Sequence, residues 1–82
     1  MIKVLFFGQL KEVLACDRLD LEVTEQMKVS DVHALLLTRY QQSTSYLKPG
    51  RILVAVNQDL ASMEHQISDG DELAFFPPVT GG

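Results

Sequence analysis

The chain is 82 residues long, 46% hydrophobic and 22% charged, with a formal net charge of −4. That length makes one domain, which buries only about 60–65% of the surface its unfolded chain exposes and cannot also house a large pocket. The seven basic residues (Lys3, Lys11, Arg18, Lys28, Arg39, Lys48, Arg51) are scattered through an acidic chain. This excludes nucleic acid as a partner, because such binding needs clustered Lys and Arg to displace counterions.

Ile2–Phe7, a β-branched and aromatic run, reads as a first strand. The opening MIKVLFFGQLKEVLAC has the outline of a lipoprotein signal, with a small residue before Cys16. Gln9, Lys11 and Glu12 interrupt it, however, and each charge in an inserting segment costs about 2.5–3.5 kcal/mol. No run approaches the ~20 apolar residues of a membrane span. Cys16 is the only cysteine, so no internal disulfide can form. A cytoplasmic protein with no membrane partner is expected.

Leu19, Leu21 and Val23 alternate with Asp20 and Glu22, the period of a half-buried second strand. Ser30 is a suitable helix cap, and Asp31 favours a helix N-terminus electrostatically. Val32, Leu35, Leu36, Arg39 and Tyr40 then recur at helical spacing, with Arg39 lying along the stripe by its methylenes. Ser43-Thr44-Ser45 offers competing local hydrogen bonds, so the helix ends by Gln42. Lys48-Pro49-Gly50 is turn chemistry, and Ile52–Val56 is a continuous apolar run, expected as an interior strand. Asn57-Gln58-Asp59 turns the chain into a short edge strand at Leu60-Ala61-Ser62. Ser68-Asp69-Gly70-Asp71 turns it again into a last strand, Glu72–Phe76. The order β-β-α-β-β-β predicts an α+β domain: a mixed sheet packed on one main helix, the pattern of the ubiquitin-like β-grasp. Its body spans residues 1–76, and 77–82 form an extended, flexible C-terminal tail. The pattern permits the first strand to lie parallel beside the last without requiring it.

With Lys3 and Glu72 facing water, Val4, Phe6, Leu73 and Phe75 point inward, and Leu5, Phe7, Ala74 and Phe76 point outward. A single outward aromatic is common on any surface. Phe7 and Phe76 together, beside an uncharged tail, instead suggest a protein-docking patch.

Side-chain chemistry is sparse. The glycines form neither a phosphate loop nor a dinucleotide fingerprint. His33 and His65 have no partners at zinc spacing and read as surface histidines, so no metal site is expected. Asp69-Gly70-Asp71 lacks the later ligands of a calcium loop. Cys16 lies between Ala15 and Asp17 with no nearby base and reads as an incidental thiol. The remaining reactive group is the Gly82 carboxylate. Gly81 and Gly82 have no Cβ, so that carboxylate fits a channel too narrow for other residues. Pro77-Pro78 stiffens the departure from the last strand. From Pro77 onward the tail spans at most roughly 20 Å, enough to reach a buried site in a partner. On the residues alone, a frayed terminus and a passive binding module stay open beside this working tail.

The ending AFFPPVTGG, the preceding DGDELAFF, the segment AVNQ (Ala55–Gln58) and the opening IKVLFFGQLKE together resemble the MoaD family, small subunits of molybdopterin synthase. Residues 43–51 and Ala15–Asp20 are less characteristic of it. The resemblance implies a β-grasp sulfur carrier with no catalytic residue of its own and no permanently bound cofactor. Its terminal glycine, here Gly82, is adenylated at the expense of ATP by a MoeB-type adenylyltransferase, giving a transient glycyl adenylate. A sulfur-donating enzyme then converts that to a thiocarboxylate. The resemblance further implies docking on the large subunit MoaE. The tail (Pro77, Pro78, Val79, Thr80, Gly81) inserts there, and sulfur passes to cyclic pyranopterin monophosphate to build the molybdopterin dithiolene. The family's docking surface corresponds to Phe7, Leu60 and Phe76; Leu60 is indicated by the resemblance alone. A 2:2 complex with the large subunit is implied in the same way. The thiamin-pathway carrier ThiS shares the fold and the Gly-Gly end but typically lacks the Phe-Phe-Pro-Pro approach. A ubiquitin-like modifier, joined through Gly82 to lysines, is the rival of another class.

Overall fold

The computed structural model describes residues 1–78. Strand β1 (Ile2–Phe6) follows the alternation set by Lys3, with Ile2, Val4 and Phe6 buried. Gly8 turns the chain out of it at φ +62°, a backbone conformation that glycine adopts without steric cost. The next element, helix α1 (Gln9–Leu14), is not among those expected from the sequence. Six residues are too few for periodicity to distinguish a helix from a loop, and so short a helix is marginal alone. Burial of Leu10 and Leu14 holds it in place.

Strand β2 (Arg18–Leu21) pairs antiparallel with β1, Leu19 opposite Val4. Helix α2 (Val29–Arg39) begins one residue before the expected cap at Ser30. The Asp31 carboxylate accepts from the Lys28 backbone N–H at 2.8 Å. The N–H groups of Val29 and Ser30 donate to the carbonyls of His65 (3.0 Å) and Met63 (2.9 Å). Donors that a helix leaves unpaired at its start are thereby satisfied from a distant segment. That anchoring draws Val29 into the core and rotates the buried stripe to Val29, Val32, His33 and Leu36. Leu35 and Arg39, expected on the stripe, are exposed, and Tyr40 is half-buried. His33, expected at the surface, is buried. It is accommodated because its Nε2–H donates to the Leu47 carbonyl.

Two 3₁₀ turns, Gln41–Tyr46 and Pro49–Arg51, carry the chain past buried Leu47 to strand β3 (Leu53–Val56). Asn57 and Gln58, both at positive φ (51° and 73°), make the hairpin into strand β4 (Asp59–Ala61). The turn at Ser68–Asp71 is closed by the Asp71 carboxylate, which accepts from Ser68 N (2.8 Å) and Asn57 Nδ2 (2.9 Å). Its carboxylate therefore closes a turn, as the sequence suggested. Strand β5 (Glu72–Phe76) follows.

The five strands lie in the order β2-β1-β5-β3-β4. β5 runs parallel to β1, with Phe75 opposite Phe6, and antiparallel to β3, with Phe75 opposite Val54. This is the mixed sheet expected, and the first strand lies beside the last, a placement the pattern had left open. One face packs on α2 through a core that includes Val4, Phe6, Val32, Leu36, Leu73 and Phe75. The Phe6 and Phe75 rings stack at 6.3 Å between centroids, and Tyr40 meets Phe6 edge-on at 6.2 Å.

Candidate functional site

The face of the sheet turned away from α2 follows from the pleat. Every inward residue of β1, β5 and β3 turns its neighbour to this face, where Leu5 and Ala74 are half-buried and Ala55 is buried although it points outward. Leu53 stands opposite Phe76, and Ala55 stands opposite both Ala74 and Leu60. Phe7 continues the β1 ladder by donating its N–H to the Phe75 carbonyl at 3.1 Å. Phe7, Leu60 and Phe76, the residues expected to meet a partner, therefore share one face. Phe7 is 49% exposed and Leu60 73% exposed, while Phe76 is half-buried.

Leu53, 40% exposed, is a member of this face that the sequence did not single out. It lies in an uninterrupted apolar run, where alternation is invisible. The signal that finds it is the ladder itself, which sets Leu53 opposite Phe76. Polar side chains bound the patch: Lys3 stands opposite Glu72 and Asp20, and Arg18 lies 3.4 Å from Asp20. An apolar centre with a polar rim is the anatomy of a protein interface.

The tail leaves from the same strand. Pro77 is half-buried and Pro78 exposed. A Cβ placed on Gly8 would lie 3.3 Å from Cγ of Pro77, so a glycine there lets the proline seat closely against the end of β1. An open groove of about 430 Å³ flanks this exit, lined by Gln9, Leu10, Tyr46, Gly50, Arg51, Pro77 and Pro78. The expected tail positions Val79, Thr80, Gly81 and Gly82 lie outside the described residues.

Other candidate chemistry is spoken for locally. The Cys16 thiol donates to the Arg18 carbonyl at 3.2 Å. Burial, and then the neighbouring Cys16 thiol, hold the Tyr40 hydroxyl above the ordinary tyrosine value of 10.0, against the opposing pull of Arg39. Among the described residues, no cluster of three or more His, Cys, Asp or Glu is placed to hold a metal ion. Among them, too, no helix is long and apolar enough to cross a membrane.

The sequence pattern of the ThiS family matches residues 4–82. The molybdopterin synthase sulfur carrier subunit of Escherichia coli (strain K12) is 45% identical over 85 aligned positions, covering 100% of both chains. Among solved structures, SAMP1 from Haloferax volcanii superposes with a TM-score of 0.83 at 29% identity, covering 99% of this chain and 98% of that one. A chain in the protein-protein complex of subunits 1 and 2 of molybdopterin-converting factor from Helicobacter pylori matches with a TM-score of 0.69 at 26% identity, covering 99% of this chain and 97% of that one. The fold these neighbours share is the ubiquitin-like β-grasp.

Proposed function

The chain belongs to the ThiS family, and from that premise we propose that it is the sulfur carrier subunit of a molybdopterin synthase, loaded and unloaded at the Gly82 carboxylate. What carries the proposal is one placement: the apolar face formed by Phe7, Leu53, Leu60 and half-buried Phe76 runs across the sheet and includes the end of β5, the strand that leads into Pro77 and Pro78. A partner that covers the face is thereby held where it can receive the tail. The full-length likeness to a named sulfur carrier subunit supports the same conclusion, as does the relative found in complex with its second subunit.

The chemistry explains why such a protein needs no catalytic side chain. A carboxylate is a poor electrophile, because its oxygen is a poor leaving group. In the proposed cycle a MoeB-type adenylyltransferase joins Gly82 to AMP, releasing pyrophosphate from ATP. Sulfide-level sulfur supplied by a sulfur-donating enzyme attacks the glycyl carbonyl carbon, displaces AMP and leaves a thiocarboxylate. The carrier then docks on MoaE, whose active site holds cyclic pyranopterin monophosphate. The thiocarboxylate sulfur bonds to a carbon of that substrate, and water then cleaves the resulting thioester, leaving the sulfur on the substrate and returning the Gly82 carboxylate. Mounting the reactive end on a folded body turns each step into a docking event with a high local concentration inside the partner.

Reconstitution with the large subunit and pyranopterin substrate tests this. Carrier bearing a C-terminal thiocarboxylate is expected to yield molybdopterin, and the unmodified carboxylate is expected to yield none. Blocking Gly82 as an amide, or adding one residue after it, is expected to abolish sulfur loading while the thermal midpoint is unchanged. Normal cofactor production from the blocked chain would refute the proposal. The likeness to SAMP1 favours a second reading, a protein modifier joined through Gly82 to lysines. Intact-mass analysis separates the two, since a ladder of lysine-linked products marks the modifier and a free thiocarboxylate the carrier.

A further inference from the structure

The apolar face accounts for one side of the tail's exit. Beside it lies the groove that Arg51 lines together with Pro77 and Pro78, Gln9, Leu10, Tyr46 and Gly50 completing it. Arg51 ends the Pro49–Arg51 turn, and its backbone N–H donates to the Lys48 carbonyl at 2.7 Å, so its position is tied to a short, proline-stiffened loop. Its guanidinium is notable in a chain of net charge −4. Arg18, Lys28 and the terminal amine each have a carboxylate partner, in Asp20, Glu64 and Asp69 respectively. Among the described residues no carboxylate pairs with Arg51, nor with Lys48 on the same loop, Lys11 on α1, or Lys3 and Arg39 elsewhere. Glu12 is the acidic side chain on α1.

A channel that takes in a tail has to surround it. A partner seated on the sheet face and enclosing Pro77 and Pro78 therefore closes over this groove as well. Closing over it removes water from the guanidinium, which is unfavourable unless a counter-charge with good geometry replaces the water. A carboxylate is the fitting replacement, because it accepts two parallel N–H bonds from the guanidinium fork.

We propose that Arg51 is a specificity-determining contact for the large subunit, pairing with an Asp or Glu carboxylate on the rim of the channel that receives the tail. This rests on the carrier function proposed above. The large subunit is assigned, not the adenylating enzyme, because a relative of this chain is found in complex with that second subunit. The pair sits where the tail enters, so it favours the register in which the terminal glycines point down the channel.

The test is calorimetric titration of the full-length chain into the large subunit, at low and high salt, for wild type, Arg51→Ala, Arg51→Lys and Arg51→Glu. Arg51 is exposed, so all three variants are expected to keep the wild-type thermal midpoint. Arg51→Glu is expected to weaken binding by about tenfold or more, with Arg51→Ala losing less. Arg51→Lys is expected to fall between Arg51→Ala and wild type, since it keeps the charge without the fork. Arg51→Ala is expected to show a smaller salt dependence than wild type. If wild type binds and Arg51→Glu binds equally well, the assignment is overturned and the carrier function stands. If wild type itself fails to bind the large subunit, both fall. If Arg51→Glu loses adenylation but keeps its affinity for the large subunit, the groove belongs to the activating enzyme and the assignment is overturned.

Discussion

Phe6 and Phe7 are adjacent, as are Phe75 and Phe76, yet each pair splits between the core and the surface. Phe6 and Phe75 are about 1% exposed or less and stack on one another, while Phe7 is 49% exposed. The pleat alone makes that division, and it separates two kinds of mutational effect. Phe75→Ala is expected to cost about 3–5 kcal/mol, enough to unfold much of so small a domain in a denaturant titration. Leu60→Asp is expected to stay within about 0.5 kcal/mol of wild type while weakening binding to the large subunit by tenfold or more. A large drop in thermal midpoint for Leu60→Asp would place that side chain in the core and remove it from the docking face. Period two made Phe7 and Phe76 legible in the sequence, because Lys3 and Glu72 mark the wet face. Leu53 was not legible, since no polar residue interrupts Ile52–Val56 to show which side is out. Leu60 came from family resemblance, because a three-residue edge strand shows too little alternation to read. Of the tail residues expected to act, Pro77 and Pro78 are seen at the exit from the sheet, and Gly82 is carried by chemistry.

The two helices differ in what specifies them. α2 has an apolar period that any local reading detects, but its start and rotation are set from afar. The carbonyls of Met63 and His65 accept its first donors, and Ile67 N–H donates to Met27 at 2.8 Å, pinning the segment before it. Those partners lie more than thirty residues away in sequence, which is why the cap was expected at Ser30 and the stripe at Leu35. Asp31 was expected to help electrostatically; it also accepts the Lys28 N–H directly. Asp31→Ala is expected to lose about 1 kcal/mol, lowering the thermal midpoint by roughly 4–8 °C. Asp31→Asn, which keeps an acceptor oxygen, is expected to lose less. Equal midpoints for wild type and Asp31→Ala would show that the distant carbonyls alone secure the helix start. α1 has no comparable local signature, and it exists because Leu10 and Leu14 reach a core assembled from other parts of the chain.

For the molecule as a whole, stability at high pH is coupled to one packing site. Tyr40 stands edge-on to Phe6, and burial, followed by the neighbouring Cys16 thiol, raises its pKa above 10.0. A raised pKa means that the folded state favours the neutral phenol. The resulting stabilisation is fully present below pH ~10 and is lost as pH rises through the folded value. Chemical denaturation followed from pH 8 to 11 is expected to show stability falling at the alkaline end. The difference between wild type and Tyr40→Phe isolates the tyrosine from the lysines that titrate nearby. A pH-independent difference between the two would show that the phenol ionises alike in folded and unfolded chains.

The place of β5 between β1 and β3 has a mechanical consequence. A pull on the tail, such as its withdrawal from a tight channel, runs lengthwise along a strand hydrogen-bonded on both edges. β1 runs in the same direction, so that load slides the two strands past each other in shear, spreading the force over the whole ladder instead of unzipping it bond by bond. The body is therefore expected to resist a pull on its end better than one whose last strand lay at the edge of the sheet.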